Sequence, residues 1–583
     1  MLSRYLGLFL LLVPCPPLAA QDGAAVAVAG QGQLPAEPSA DLTPADLYEV
    51  GEEAGWVIEQ NGKWVGENWF RYEGAAEMGG QKAHHFTAGI RLSAMENLMP
   101  ESRFLMDLWV DEKGHPVRHL LHARQGDVDS VLDLSFSGTT CVAHLVQGGV
   151  PRDFDVTVPE DIFIQQNNAI GYFELLLGLH PPSASGSDSY TLFSTNVLTA
   201  FPYEVHHDPD AEQHGFVIED SLGETIVMDE ERRKLRRLLV KPQGIVIRRT
   251  DEPLEHFEFD EPRVVEETSE FDSEEVLIEH GEVSLAGTIT RPLQGEAPFP
   301  AVFFVSGSGM QDRDGRSSGL EVGTREILDR LTSDGFLVLR VDDRGAGAST
   351  GPLDGMTFDD LVADARACMN YLFEREDVDP SRVALIGHSE GGQTVPLLAV
   401  ERPEVACIVL MAAPGRNLLE IMLEQNATVL EDQGVSPEEQ EVTLEQVRRA
   451  LAWAASDEVE APSDVPEGLI ANLSSSMRPW LASHARQDPL AVIKRVRCPV
   501  LILQGAKDFQ VSADRDAQAL AAALEESGQT EFEIVVFPEL DHLFKPVAGE
   551  VSRLPDYYTK RAVDEEFLST LSAWLAGHSQ PMR

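Results

Sequence analysis

A serine with a glycine two positions to either side is the residue of this chain best placed for covalent chemistry. Ser389 lies in the pentapeptide Gly387–Gly391 (GHSEG), which follows the apolar run Val383–Ile386. An apolar strand, a sharp turn and a helix in this order form the context of a nucleophile elbow. Glycine at both flanking positions leaves the space that the turn needs. The pattern therefore predicts that Ser389 is exposed at the carboxyl edge of a parallel sheet. The alternative is an ordinary strand-to-helix turn that contains these residues by chance.

A serine hydroxyl needs a neighbouring base, which is usually a histidine held in one tautomer by a carboxylate. Asp508 follows the apolar run Val500–Leu503, and His542 follows the run Phe532–Phe537. Both positions come just after predicted strands, at the edge of the sheet where Ser389 is expected. The chain order Ser, Asp, His is also the order that an α/β-hydrolase requires. We therefore predict a catalytic triad of Ser389, Asp508 and His542.

Other acids and histidines compete for these two roles. Asp514 and Asp516 are close alternatives to Asp508, which otherwise reads as an ordinary turn residue. His542 itself has the alternative of being a surface histidine, whereas His484 lies in a long insertion and His578 lies near the end of the chain. Since its side chain should diverge from that of Ser389, His388 is expected to pack beneath the turn.

Acyl transfer also requires hydrogen-bond donors for the developing oxyanion. The backbone N–H of Glu390, directly after the serine, is one expected donor. The second is expected from the loop Ser306–Gly309, where we favour the N–H of Ser308 over those of Gly307 and Gly309. The alternative for this loop is a flexible turn. A phosphate-binding loop is excluded because no Gly-Lys-Ser/Thr follows, and Gly345–Gly347 lacks the third glycine of a dinucleotide site.

The elements that must position these residues alternate between strand and helix from residue 272 onwards. An opening antiparallel hairpin, Val276–Ile278 with Val283–Ile289, precedes buried strands and amphipathic helices in βαβ order. This rhythm predicts a doubly wound, mostly parallel sheet over residues 272–583. Residues 413–495 interrupt it with a mainly helical pattern. An insertion of this length at the ligand-binding edge predicts a cap over the site. The alternative is that the insertion packs against the domain away from the site.

The preceding region, residues 46–265, has mostly period-two hydrophobicity and turn signals such as Asn61-Gly62. We predict a separate antiparallel β-rich domain of unknown role, with one short helix at Ala169–Leu179. An acidic segment, Asp251–Glu275, places the domain boundary at 266–272. The region contains four tryptophans that could form a ligand-binding surface. Because aromatic residues on strands more often belong to the core, we favour that interpretation; the residues are Trp56, Trp64, Trp69 and Trp109.

The chain has 583 residues, a formal net charge of −52 and 43% hydrophobic residues. Such a negative surface argues against nucleic-acid partners and against binding to anionic lipid. The charge indicates a solvated surface. Binding of divalent cations is an alternative that no D-x-D-x-D-G loop supports. Oligomeric state does not follow from the sequence.

The first residues predict export. A basic start, an apolar run from Tyr5 to Val13 and a small-residue exit read as a signal peptide over residues 1–20. A lipoprotein is disfavoured because Pro14 precedes Cys15, and no later segment is apolar enough to span a membrane. Residues 21–45 read as a disordered linker. We expect the remaining cysteines to be buried thiols, and the alternative is a disulfide bond between two of them; they are Cys141, Cys368, Cys407 and Cys498.

Several motifs occur in order: Ser306–Asp314 (SGSGMQDRD), Asp342–Ser349 (DDRGAGAS), the GHSEG elbow, Gly505–Asp508 (GAKD) and Leu540–Phe544 (LDHLF). Over residues 275–575 the chain resembles bacterial α/β-hydrolase carboxylesterases close to the serine aminopeptidase and dienelactone hydrolase groups. The resemblance implies an ester hydrolase without metal or organic cofactor. It also implies structural or pocket-shaping roles for Asp312, Arg313, Asp314 and Arg344.

Two positions depart from this pattern. Ser306 stands where many relatives carry histidine. This change should be tolerated, because the oxyanion donor of the loop is a backbone N–H. Asp541 stands where a neutral residue is expected.

The sequence as a whole predicts a periplasmic or extracellular serine hydrolase that cleaves small-molecule carboxylic esters through an acyl-enzyme. One alternative is an aminopeptidase or thioesterase that uses the same triad. Another, of a different class, is a binding protein whose hydrolase domain is inactive.

Overall fold

The structure is a computed structural model that describes residues 42–578, except for a set of short gaps. The gaps are 95–98, 148–149, 184–186, 197, 208–215, 221–223, 230, 232, 241–243, 260–270, 318–319, 354, 433, 466–468, 471–472 and 474–477. The described chain divides into two compact units, residues 42–259 and residues 271–578. The predicted signal peptide and residues 21–41 of the predicted linker lie outside the described residues. The last two residues of that linker, Pro44 and Ala45, are helical.

A single antiparallel sheet forms the N-terminal unit, in the order β8-β7-β6-β5-β4-β3-β2-β1-β15-β14-β13-β12-β11-β10-β9. Only β9 and β10 pair in parallel. Strands β1–β15 are Glu53–Gln60, Lys63–Met78, Gln81–Leu92, Ser102–Val110, Pro116–Gln125, Val128–Ser137, Thr140–Gln147, Val150–Thr157, Ile162–Gln165, Ser187–Ser194, Thr199–His207, Phe216–Asp220, Glu224–Met228, Leu235–Val240 and Ile245–Thr250. Helices α1 and α2 are Pro44–Leu47 and Ile170–Leu179. The predicted β-rich unit and its short helix are confirmed.

This sheet is strongly curled. Phe136 of β6 and Phe193 of β10 stack edge to face with ring centroids 5.7 Å apart, although the two strands stand eleven places apart in the strand order. In a flat sheet that separation would be about 50 Å, at roughly 4.8 Å per strand. The sheet therefore wraps around its own core. Helix α2 lies in that core, since all ten of its residues are buried.

The structure tests two sequence predictions for this unit: the turn at Asn61-Gly62 and the burial of the four tryptophans. Asn61 and Gly62 both have positive φ, 52° and 76°, which is the conformation of a two-residue type I′ turn. Trp56 and Trp69 are buried in the unit, whereas Trp64 remains 46% exposed. Trp109 is half-buried and stacks on His85 with ring centroids 4.5 Å apart. The core interpretation is therefore right for Trp56 and Trp69 and wrong for Trp64.

The C-terminal unit contains an eight-stranded sheet in the order β16-β17-β21-β18-β22-β23-β24-β25. Strands β16–β25 are Asp272–His280, Val283–Arg291, Phe299–Val305, Arg316–Ser317, Leu320–Glu321, Leu337–Val341, Val378–His388, Cys407–Met411, Val500–Gly505 and Phe532–Phe537, of which β19 and β20 form a separate small hairpin. The first two strands of the sheet run antiparallel to their neighbours, and the other six run parallel. The predicted opening hairpin and the α/β-hydrolase sheet are confirmed.

Helices cover both faces of this sheet. Helices α3–α11 are Thr324–Ser333, Phe358–Phe373, Gly391–Glu401, Leu418–Asp432, Pro437–Ala454, Arg478–Ala485, Pro489–Ile493, Gln518–Glu526 and Glu565–His578. A π-helical turn, Ala513–Ala517, and a 3₁₀ helix, Leu554–Tyr558, complete the set. The strands β23 and β24 are buried at every residue, as expected for parallel strands covered on both sides.

The described part of the insertion between β23 and β24 includes helices α6–α9 and an apolar cluster of its own that contains Leu451, Trp480 and Leu481. Its predicted role as a cap stays a prediction. Among the described residues, none of the helices combines the length and the apolar character needed to cross a bilayer.

A buried carboxylate ties α2 to the sheet of the N-terminal unit. Glu174 is fully buried, and its side chain accepts hydrogen bonds from the backbone N–H of Leu235 at 2.8 Å and from Tyr48 at 3.3 Å. Burial raises the pKa of Glu174, and the guanidinium of Arg249 opposes that shift. Arg249 also donates directly to this carboxylate. The pair therefore fixes the central helix against β14 and β15.

We expect Arg249→Met to destabilise the N-terminal unit by about 3–5 kcal/mol, because it leaves the Glu174 carboxylate buried without its cation. Arg248→Met is the matched control. Arg248 is 55% exposed where it pairs with Glu59, so its loss should cost less than about 1 kcal/mol. Hydrogen-exchange mass spectrometry of β14 and β15 peptides measures both values. Equal effects of the two variants would contradict the assigned role of Glu174.

Candidate active site

The turn around Ser389 is set by backbone contacts at the flanking glycines. Ser389 has φ 53° between β22 and α5, in the left-handed region that costs a non-glycine residue energy. Its N–H donates to the carbonyl of Met411 at 2.9 Å. A Cβ at Gly387 would lie 2.2 Å from the carbonyl oxygen of Gly391, and one at Gly391 would lie 2.3 Å from that of Val305. Any side chain at either glycine would therefore open the turn.

Asp508 and His542 are brought together by neighbouring strands. Asp508 follows β24 and His542 follows β25, and the Nδ1 atom of His542 lies 2.7 Å from Oδ2 of Asp508. Both side chains are almost completely buried. With Nδ1–H donating to the carboxylate, Nε2 is left as the acceptor on the other side of the ring. A histidine in this state can take a proton from a hydroxyl.

The carboxylate of Asp508 is itself held on several sides. The backbone N–H groups of Gln510 and Val511 donate to Oδ1 at 2.7 and 3.0 Å. The side-chain amide of Gln504 donates to Oδ2 at 2.9 Å. These bonds fix the direction of the carboxylate toward His542. The rival acid Asp516 is occupied elsewhere, because it accepts from Arg416 and from the N–H of Gly415.

The turn of Ser389 contacts this pair through the preceding residue, His388. In the part of the chain that the structure describes, no hydrogen bond joins Ser389 to His542. His388, the residue before the serine, donates from Nε2 to the carbonyl of His542 at 2.9 Å, and the two rings are 4.8 Å apart. Catalytic hydrogen bonds are often long in a free enzyme and tighten when substrate binds. The triad therefore stays a prediction.

His388 is unsuited to serve as the base. Its ring is buried, as predicted, and burial, reinforced by the neighbouring His542, lowers the pKa of His388 to about 3. It therefore stays neutral at physiological pH and acts as a donor that supports the His542 backbone.

The loop Ser306–Gly309 passes directly over the serine. A Cβ at Gly307 would lie 3.2 Å from Cβ of Ser389. Among the described residues, the backbone N–H groups of Ser308 and Glu390 donate to no other group, and the same holds for Gly307 and Gly309. The geometry thus leaves several amides available near the nucleophile. The choice of Ser308 among them remains a prediction.

The half-buried carboxyl of Asp343 binds Ser306 at the start of this loop. The hydroxyl of Ser306 donates to Asp343 at 2.5 Å, and the backbone N–H of Gln311 donates to the same carboxyl at 2.9 Å. Asp343 therefore holds both ends of the loop. Sequence reasoning missed this residue, although its position inside the DDRG motif was a signal.

The other departure, Asp541, shapes the loop that carries His542. Its Oδ1 accepts from the N–H groups of Leu543 and Lys545 at 2.9 and 3.0 Å, and its Oδ2 pairs with Arg561 at 2.8 Å.

The resemblance implies structural or pocket-shaping roles for Arg313 and Arg344, and each of the two forms an ion pair that is largely shielded from solvent. Arg344 binds Asp364 through two bonds of 2.9 and 2.7 Å, and Arg313 binds Asp342 at 2.8 Å.

The side chain of Glu390 joins the elbow to the insertion, which sequence reasoning also missed. Its Oε1 accepts from Nε1 of Trp480 at 3.0 Å and from Nε2 of His484. Both donors lie on α8, and the side chain of His484 is only 1% exposed. The residue after the nucleophile is thus fixed from two directions, by its place at the start of α5 and by α8.

A cavity of about 90 Å³ lies against this region, lined by Gly307, Gly309, Glu390 and Gly391 among others. Among the described residues, no group of three or more His, Cys, Asp or Glu side chains could hold a metal ion.

The C-terminal unit is similar in sequence to known hydrolases. The family model of the serine aminopeptidases (S33) matches residues 322–544. Esterase EstD of Thermotoga maritima is 31% identical over 292 residues, which are 50% of this chain and 65% of the relative. The chain thus spans slightly less than two thirds of EstD. 3-Oxoadipate enol-lactonase 2 of Acinetobacter baylyi is 26% identical over 39% of this chain and 78% of the relative.

Among solved structures, a Pyrococcus furiosus esterase is 17% identical, with a TM-score of 0.36 over 53% of this chain and 92% of the other. A dienelactone hydrolase from Klebsiella pneumoniae, described as putative, is also 17% identical, with a TM-score of 0.33 over 52% and 98%.

We expect Glu390→Ala to destabilise the C-terminal unit by about 2–4 kcal/mol, because it leaves the donors of Trp480 and His484 buried without an acceptor. Glu401→Ala at the other end of α5 is the matched control. Glu401 is 44% exposed where it pairs with Arg366, so its loss should cost at most about 1 kcal/mol. Urea denaturation followed by exchange of α8 peptides measures both. A Glu390→Ala protein as stable as the control would show that the bridge contributes nothing.

Proposed function

We propose that the protein is a serine hydrolase of carboxylic esters, because its C-terminal unit has the α/β-hydrolase fold and is similar in sequence to a bacterial esterase and to the serine aminopeptidase family. The observation that carries the proposal is the buried pair of Asp508 and His542, 2.7 Å apart, beside the glycine-flanked turn of Ser389. A strained serine next to an oriented imidazole is the arrangement that covalent acyl transfer needs.

In the proposed mechanism, the hydroxyl of Ser389 attacks the ester carbonyl while Nε2 of His542 takes its proton. The tetrahedral intermediate then expels the alcohol, which receives that proton from His542. Asp508 holds the imidazole and stabilises its charged form. Water, deprotonated by the same histidine, attacks the acyl-enzyme, and the acid leaves with Ser389 regenerated. Each step balances without a metal or an organic cofactor.

The oxyanion of both intermediates requires donors already in place. The N–H of Glu390 and that of Ser308 are the proposed pair, supported by their position beside Ser389 and by the absence of other acceptors for them in the described chain. A donor of this kind contributes roughly 3–4 kcal/mol to the stabilisation of the transition state. The bonds of Asp343 to Ser306 and Gln311 hold this loop before substrate arrives.

A second candidate is the same machinery applied to peptide or thioester bonds. The description of the matching family as serine aminopeptidases favours the peptide version. The test compares kcat/KM of one preparation for aminoacyl arylamides, acyl thioesters and acyl aryl esters, and the best substrate class decides among peptide, thioester and ester hydrolysis. We expect the oxygen esters to have the highest kcat/KM.

We also propose that the protein is exported to the periplasm or the medium. The basic start, short apolar run and small-residue exit of residues 1–20 support this. Expression of the full chain followed by N-terminal sequencing of the secreted form tests it, with a new N-terminus at residue 21 as the expected result.

Replacing Ser389 with Ala should lower the turnover of short-chain aryl esters by at least about 10³-fold. The matched control is Ser308→Ala, which removes a hydroxyl three residues into the oxyanion loop but keeps the backbone N–H. We expect it to retain activity within about threefold, because only the amide is assigned a role. Steady-state kinetics on aryl acetates and butyrates measure both.

A fluorophosphonate probe gives an independent reading of the same assignment. It should modify the wild-type protein at Ser389 alone and leave the Ser389→Ala variant unmodified. Unchanged turnover in that variant, or modification at another residue, refutes the proposed nucleophile. A folded wild-type protein that neither reacts with the probe nor hydrolyses any ester supports the binding-protein alternative.

A further inference from the structure

The cavity beside the elbow is placed to receive part of the substrate. Its volume is about 90 Å³, and since a single water requires about 10–15 Å³, it has space for several non-hydrogen atoms. Gly307 and Gly309 of the oxyanion loop and Gly391 of the elbow form its wall on one side. A carbonyl bound between these loops would therefore lie at the border of the cavity.

Much of the remaining wall is apolar. Met310, Met356, Leu361, Ala365 and Trp480 all line the cavity, and apolar walls with a few polar groups are typical of ligand pockets. Such a lining suits a short carbon chain. The wall also carries charged side chains: three arginines and the carboxylates of Asp312, Asp342, Asp343, Asp364 and Glu390.

The carboxyl of Asp343 is one of these charged groups. It lines the cavity, and it accepts from the Ser306 hydroxyl and from the N–H of Gln311. Burial raises the pKa of Asp343 to about 7, and the charges of Glu390 and Asp342 act in the same direction. The carboxyl can thus be present in both protonation states at neutral pH.

No cation of the described chain forms an ion pair with Asp343. The three arginines of the cavity wall are engaged with other acids: Arg313 with Asp342, Arg340 with Asp329 and Arg344 with Asp364. Asp343 therefore retains acceptor capacity toward the cavity. A hydrocarbon chain there would shield the carboxyl from water without offering it a donor, which is costly.

We propose that this cavity binds the acyl part of the ester and that Asp343 selects acyl groups that carry a hydroxyl. The proposal rests on the proposed esterase function and names its substrate class. A hydroxyl can donate to the ionised carboxyl and accept from the protonated one. An ammonium group would lose far more hydration on entering so enclosed a site than a hydroxyl does.

The test compares four p-nitrophenyl esters on the full mature chain: butyrate, 2-hydroxybutyrate, 3-hydroxybutyrate and 3-aminobutyrate. Each kcat/KM is divided by the rate constant for hydroxide-catalysed hydrolysis of the same ester, which removes differences in intrinsic reactivity. We expect at least one hydroxy ester to exceed butyrate by about tenfold, and the amino ester to fall below both hydroxy esters.

Variants assign that preference to Asp343. Asp343→Leu should reduce the hydroxy-to-butyrate ratio to about one, whereas Asp343→Asn, which keeps an acceptor, should retain part of it. Because Asp343 also holds the oxyanion loop, absolute rates will fall in both variants, so the ratio is the quantity that decides. Asp334→Leu, an exposed aspartate at the end of α3, is the control and should keep the wild-type ratio.

A further variant tests the cavity without touching Asp343. Ala365→Leu fills part of the space and should lower kcat/KM for butyrate relative to acetate by about tenfold. It also serves if Asp343→Leu does not fold.

Equal values for butyrate and both hydroxy esters in the wild type overturn the proposal, as does a preference for the amino ester. A wild-type ratio that survives Asp343→Leu, or a butyrate-to-acetate ratio unaffected by Ala365→Leu, overturns it as well. Failure of the esterase function itself is distinguishable, since no ester would then turn over and the fluorophosphonate would not react with Ser389.

Discussion

The tight approach of backbone to backbone at the Ser389 turn is the constraint on which the site depends. Gly387 and Gly391 touch the neighbouring backbone so closely that neither position has room for a Cβ. This contact accompanies the positive φ of Ser389 and the passage of the loop Ser306–Gly309 over it. Helix α5 follows at once, with Glu390, the proposed oxyanion donor, as its N-cap. The parallel sheet positions the other two residues of the proposed triad, because β24 and β25 end at the same edge, where Asp508 and His542 follow them.

A second layer of buried polar groups holds this arrangement in place. Asp508 is fixed by two backbone amides and Gln504, Asp541 braces the histidine loop, and Asp343 ties both ends of the oxyanion loop. Each of these carboxylates accepts hydrogen bonds from at least two donors, which fixes its position in the site. Glu390 extends the same network into the insertion through α8, so the elbow and the insertion form one packed structure.

Much of the C-terminal unit could be predicted from local pattern. The strand runs and the opening hairpin have short-range physical causes, and the structure places them as expected. The pairing of Glu390 with His484 could not be predicted, since the two residues are 94 positions apart and depend on how the insertion folds back. The same reason hid Asp343, whose partner Ser306 is 37 positions away. In the N-terminal unit, period-two patterns predicted the strands, but the curl of the sheet arises from long-range contacts such as Phe136 with Phe193.

The most direct test of the account is a crystal structure of the mature protein after reaction with a phosphonate ester. The account predicts phosphorus bonded to Oγ of Ser389 and a phosphonyl oxygen about 2.7–3.1 Å from the amides of Ser308 and Glu390. It also predicts Nε2 of His542 within hydrogen-bond reach of Oγ or of the remaining phosphonate oxygen. A phosphonate on another residue, or a His542 ring that stays beyond contact in the adduct, would contradict it.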